Sequence, residues 1–117
     1  MKKVTCKYYC VESGRAPVKE FIDSLHLRTQ QKFFSVVELL EEFGHQLPQP
    51  HAKYIGDEIF ELRFKGQEGA VRVLYFFFYQ DSAVLTNGFV KKSNKIPVKE
   101  KSTAIERRRT FLEKNGQ

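Results

Sequence analysis

Apolar residues recur every three to four positions in the first half of the chain and every two in the second half. The opening segment, Val4 to Val11, reads as a strand. Ser13-Gly14-Arg15-Ala16-Pro17 predicts a turn into a helix, with Pro17 in the first turn, where its missing N–H costs little. Val18, Phe21, Ile22 and Leu25 follow at helical spacing. A longer helix begins near Leu27-Arg28-Thr29; Phe33, Val36, Val37, Leu40 and Phe43 form its apolar stripe, and Gly44 suits the residue past its end. A short link around His26 makes the two helices an αα-hairpin. Leu47-Pro48-Gln49-Pro50 is a rigid connector, after which the period falls to two.

From Glu58 to Lys65, Phe60, Leu62 and Phe64 take one face and Ile59, Glu61 and Arg63 the other. Gly66-Gln67-Glu68-Gly69 predicts a hairpin turn, Ala70 to Tyr79 a long central strand, Gln80-Asp81-Ser82 a second turn and Ala83 to Val90 the last strand. A basic loop, Lys91-Lys92-Ser93-Asn94-Lys95, leads to Pro97 and a final helix from about Val98 to Lys114, with Ala104, Ile105, Arg108, Phe111 and Leu112 on one face. The order β-α-α-β-β-β-α predicts an α+β fold: a helical hairpin packed on one face of a small antiparallel sheet, the other face partly open. One domain over residues 1–117 is expected from the length.

Eleven Phe and five Tyr supply most of the core material. Cys6 and Cys10 lie four apart in the expected strand, roughly 13 Å by strand rise, too far for a disulfide. Two free thiols fit a reducing cytoplasm. No apolar run approaches the ~18 residues of a membrane span, and no signal-peptide pattern is present. Charge is unevenly placed. Residues 1–88 carry 11 Lys/Arg against 11 Asp/Glu, so residues 89–117, with 9 against 3, hold the whole net charge of +6. A one-sided positive excess points to a polyanion or an acidic protein partner.

Arg63 and Arg72 flank the predicted hairpin, so pairing of the strands brings them close across the sheet. Two guanidinium forks match a phosphodiester; an ion pair within the sheet, with Glu61 or Glu68, is the plainer alternative. Lys91, Lys92 and Lys95 sit at the end of a strand, a place suited to phosphate contact or proton donation. Tyr54 is a candidate for stacking on a base, beside Lys53. Tyr75 alternates away from Arg72, so the two share a face only if a bulge intervenes. His26 and His45 fall at helix ends as caps or surface residues, which leaves His51 as the candidate histidine acid or base. The scattered His and Cys make no metal site. Neither G-x-x-x-x-G-K nor G-x-G-x-x-G occurs, which argues against a nucleotide-driven enzyme.

Three segments carry a resemblance: Gly56-Asp57-Glu58-Ile59-Phe60-Glu61-Leu62-Arg63, Val71-Arg72-Val73-Leu74-Tyr75, and Asn87-Gly88-Phe89-Val90-Lys91-Lys92-Ser93. Together they resemble the RelE/ParE toxin superfamily, nearest its HigB-like, phage-derived branch of type II toxin–antitoxin systems. The resemblance covers roughly residues 45–110. It implies a RelE-like, microbial-RNase-like fold and RNA cleavage without metal or cofactor, the ribose 2′-OH attacking to leave a cyclic phosphate. Carried over by position, Arg72 becomes a phosphate or transition-state contact, with Arg63, Lys91 and Lys92 as further basic groups. Glu61 falls where some members place an acid–base residue, and on an RNA substrate Lys53, Tyr54, Tyr75 and Lys95 are the candidate contacts that the residues themselves offer.

Several members carry a histidine or tyrosine after the last strand, whereas Lys91 to Pro97 has neither. The acid–base work then falls to Lys, Arg, Glu or His51. The resemblance further implies a cytoplasmic messenger-RNA endonuclease that needs the ribosome and a helix-turn-helix, HigA-like antitoxin as partner. Two other readings share the fold: a ParE-like poison of DNA gyrase without nuclease chemistry, and an inactive relic that binds antitoxin alone.

Overall fold

The structure is a computed structural model and describes residues 2–95 and 97–116. Its regular elements are β1 (Thr5–Tyr8), α1 (Pro17–Asp23), α2 (Leu27–Phe43), a 3₁₀ turn (Gly44–Gln46), β2 (Ala52–Gly56), β3 (Ile59–Gly66), β4 (Gly69–Phe78), β5 (Ser82–Val90) and α3 (Val98–Lys114). The expected helices and the β3–β4–β5 meander are present. Three expectations are corrected. A further strand, β2, precedes β3. The sheet is mixed, in the order β1-β5-β4-β3-β2, because β1 runs parallel to β5. The helices do not all lie against one face, because α3 packs on the other, part of which stays open.

Alternation along the strands explains the two layers. Leu62 and Phe64 of β3, Val71, Val73 and Tyr75 of β4, and Ala83 and Leu85 of β5 point one way. They meet Val18 and Ile22 of α1 and Phe33, Val36 and Leu40 of α2. Ile59, Leu74, Phe76, Val84 and Phe89 point the other way, onto Ala104 and Phe111 of α3. Leaving the second set bare would expose an apolar face, and each such buried side chain contributes about 1.5–3 kcal/mol. Phe111 makes edge contacts with Phe76 and Phe78, with ring centres 5.5 and 5.0 Å apart.

A β-bulge fixes how α3 docks. Leu74 pairs with Asn87 and Tyr75 with Leu85, so Thr86 is the extra residue, on β5. The Thr86 hydroxyl donates to the Leu74 carbonyl at 3.1 Å, and the freed Thr86 carbonyl accepts from Arg107 Nη1 at 2.8 Å. One residue on, Asn87 Nδ2 donates to the Glu100 backbone carbonyl and carboxylate.

The β3–β4 hairpin is pinned to the start of α2. Its two turn residues are Gln67 and Glu68. Gln67 N donates to Thr29 Oγ1, while the Glu68 carboxylate accepts from Thr29 Oγ1 and from His26 N, both at 2.7 Å. Those bonds hold the Glu68 carboxyl below its usual range. A Cβ at residue 66 would lie 2.4 Å from Thr29, so this close approach requires Gly66.

Candidate functional site

Strand pairing decides where the charged side chains go. Arg63 of β3 lies directly opposite Arg72 of β4. Both have the parity of Ile59 and Leu74, so they sit on the α3 face, with Glu61 two residues before Arg63. Like charges directly opposite in a sheet repel. Glu61 offsets that repulsion: its Oε1 lies 3.4 Å from Arg63 Nε and 3.7 Å from Arg72 Nε. Glu68, the alternative partner weighed from the sequence, is engaged at α2 instead.

The carboxylate of Glu61 is 2% exposed, and the Arg72 and Arg63 side chains are 11% and 25% exposed. The contacts are longer than hydrogen bonds. Glu61 Oε2 and both Nε atoms are buried without hydrogen-bond partners, while Arg72 Nη1 donates to the Val71 carbonyl at 3.0 Å. Burial lowers the Arg72 pKa, the facing Arg63 lowers it further, and Glu61 opposes both. The trio is therefore a compact array of net positive charge held by electrostatic attraction.

Two clefts adjoin it. The first, of about 550 Å³, is lined by Lys32, Pro50, His51, Lys65, Arg63 and Arg72 among others. The β2–β3 ladder begins at Ala52 and Leu62, and His51 stands just beyond it, its carbonyl accepting from Arg63 N at 2.8 Å. The second cleft, of about 350 Å³, brings Lys91, Lys92, Ser93 and Asn94 to Arg63 and Arg72. Lys91 N donates to the Ala70 carbonyl at 2.7 Å, which ties the basic loop to the start of β4. The structure thus brings Arg63, Arg72, Glu61, His51, Lys91 and Lys92 together.

The remaining candidates fall outside both clefts. Tyr75 is a correction: it is 1% exposed and points into the α1–α2 core, its ring stacked on Phe60 and edge-on to Phe77. The bulge lies on β5, so β4 alternates regularly and Tyr75 keeps the face opposite Arg72. Tyr54 is half-exposed, rests on Phe60 and accepts a hydrogen bond from Glu58 N. Lys53, opposite Glu61 in the ladder, and Lys95 are exposed. His26 caps α2 by accepting from Arg28 N, and His45 stacks on Phe77. Cys6 and Cys10 are free, with Cys10 beyond the end of β1. Among the described residues no three His, Cys, Asp or Glu side chains cluster closely enough to hold a metal ion.

Sequence reading missed Lys65 and Lys32. Lys65 continues the i, i+2, i+4 series Glu61-Arg63-Lys65 and was visible in that alternation. Lys32 reaches the cleft from α2, and no local signal marks it.

Residues 20–109 match the family model described as phage derived protein Gp49-like (DUF891). The matched span runs from α1 into α3 and contains every residue of the cationic array and both clefts. No curated protein matches the chain.

Proposed function

Because the chain belongs to the Gp49-like phage-derived family, a family of toxin–antitoxin toxins with an antitoxin as partner, we propose that it is a metal-free endoribonuclease that cuts messenger RNA on the ribosome. The observation that carries this reading is the pair Arg63 and Arg72, side by side on one sheet face over a single buried carboxylate, with a histidine cleft on one side and two lysines on the other. Two guanidinium groups held side by side present paired donors of the kind that grips a phosphate.

In this reading the two guanidinium groups hold the non-bridging oxygens of the scissile phosphate. His51 removes the proton from the ribose 2′-OH, whose oxygen attacks phosphorus. The bond to the 5′ oxygen breaks, and Lys91 or Lys92 supplies the proton that leaves with it. The products are a 2′,3′-cyclic phosphate and a free 5′-OH. Negative charge grows on the equatorial oxygens as the fifth bond forms, and fixed cations stabilise that state more than the ground state. Glu61 acts as the counter-ion that lets two arginines share the site; its burial keeps it away from a 2′-OH. The partner in this reading is a helix-turn-helix, HigA-like antitoxin, and the protein works in the cytoplasm. No helix among the described residues is long and apolar enough to cross a membrane.

The test is expression of the wild type and of Arg72→Ala in a bacterial host, with mapping of messenger-RNA 5′ ends. The wild type should cut within translated codons. Loss of one transition-state contact should slow cutting by about 100-fold, on the order of 3 kcal/mol. Growth arrest with intact messenger RNA and broken chromosomes would replace this reading with the gyrase one, and no arrest would leave an inactive antitoxin binder.

A further inference from the structure

The first cleft continues beyond the arginine pair. Lys32 and Lys65 line it, and the same two residues line a third cleft, of about 310 Å³, with Arg28, Thr29, Gly66 and Gln67. At its other end the first cleft shares Arg63, Ala70 and Arg72 with the cleft of the Lys91–Lys92 loop. The three form one path from the loop after β5, across the arginines, to the first turns of α2. No Asp or Glu lines any of them.

We propose that this path is a track for single-stranded RNA, in which Arg28, Lys32 and Lys65 hold phosphates flanking the one between Arg63 and Arg72. The inference rests on the ribonuclease reading of the arginine site and extends it to residues that reading does not use. Three observations carry it. First, Arg28, Lys32, Lys65, Lys91 and Lys92 make no ion pair among the described residues, and, unlike the other unpaired lysines and arginines, they line joined clefts that no carboxylate enters. Glu68, next to Gln67 in the hairpin turn, is occupied by His26 and Thr29. Second, the spacing is similar: Arg28 and Lys32 stand one helical turn apart, about 6 Å, and Arg63 and Lys65 two strand residues apart, about 7 Å. Third, no large apolar side chain lines the cleft at the α2 end, and Val36 and Phe64, which line the first cleft, are buried in the core. A bound peptide takes its affinity from buried apolar anchors, and a sugar–phosphate chain needs none. A polymer held at the scissile phosphate must also leave the site in both directions, and both exits are basic.

The test uses the full chain and a 2′-O-methylated single-stranded RNA of about 12 nucleotides, which cannot be cut. Its binding is followed by fluorescence anisotropy between about 50 and 200 mM salt. The variant carries Arg28→Gln, Lys32→Gln and Lys65→Gln. A control carries Lys7→Gln, Lys19→Gln and Lys114→Gln, which removes the same charge away from the track. Three lost phosphate contacts should flatten the salt dependence by about 2 in log–log slope. Over that salt range the wild type should then lose roughly 20-fold more affinity than the track variant. The control should follow the wild type.

Equal slopes for track variant and control would overturn the track. So would unchanged RNA binding with loss of binding to poly-glutamate, which would assign the path to an acidic protein. Cleavage of messenger RNA in a translation extract is read separately. A wild type that binds RNA along the track yet cuts nothing removes the nuclease reading and leaves the track. A wild type that cuts without the predicted slope difference removes the track and leaves the nuclease.

Discussion

The two faces of this sheet are built from alternate residues of the same strands, yet they do different work. Under α1 and α2 the face is closed: Leu62, Phe64, Val71, Val73, Tyr75 and Leu85 are all buried and apolar. Under α3 it is divided. Ile59, Leu74, Phe76 and Val84 pack against the helix, and beyond that contact the same face carries Glu61, Arg63 and Arg72. One face thus supplies most of the cohesion and frees part of the other to hold like charges together. A site built on the middle of a strand pair is also more rigid than one on loops, which suits two cations that must point at one phosphate.

The sharpest way to break this contrast is Tyr75→Ala. Removing a fully buried ring from the closed face should cost about 3–5 kcal/mol and lower the thermal midpoint by many degrees. A calorimetric scan that left the midpoint in place would show that the closed face is not the main source of stability. Glu61→Gln probes the divided face and should be milder. It leaves two facing arginines without a counter-ion, and because Arg63 is partly solvated the cost should be about 1–2 kcal/mol in urea unfolding. Adding Arg63→Gln to Glu61→Gln should restore most of that loss, since it removes the repulsion; failure to do so would mean that Glu61 supports the sheet in some other way.

The smallest effect concerns Cys6, on the edge strand. Burial pushes its thiol up to about 12, with the Glu41 carboxylate adding to the shift. The folded value lies above the unfolded one, so this contribution is complete below about pH 9 and is lost as pH rises from there towards 12. Between about pH 8 and 10 the wild type should lose on the order of 1 kcal/mol more stability than Cys6→Ala. Parallel pH profiles for the two proteins would show that the thiol ionises freely in the fold.

Much of this arrangement was legible in the sequence because it is local. The period-two run from Phe60 to Phe64, the Gly66–Gly69 turn and the apolar run from Val71 to Phe78 identify a hairpin, and a hairpin sets Arg63 against Arg72 without further information. The stripe from Phe33 to Leu40 and the Gly44 stop at φ 56° bound α2 equally well. What escaped was non-local or too short. β2, five residues with a register shift between Tyr54 and Gly56, never completes a convincing alternation. Covering of the second face by α3 depends on polar anchors, Asn87 to Glu100 and Thr86 to Arg107, that no amphipathic pattern announces. Lys32 enters the site from a helix some thirty residues before the arginines.

The parallel pairing of β1 with β5 has a consequence for how the molecule is made. Thr5 meets Ser82, 77 positions later in the chain, while every other strand pair joins sequence neighbours. The meander can close from the β3–β4 hairpin outward over short loops, but β1 has no partner until β5 exists. During synthesis β1 therefore emerges before its partner and stays unpaired until β5 is made.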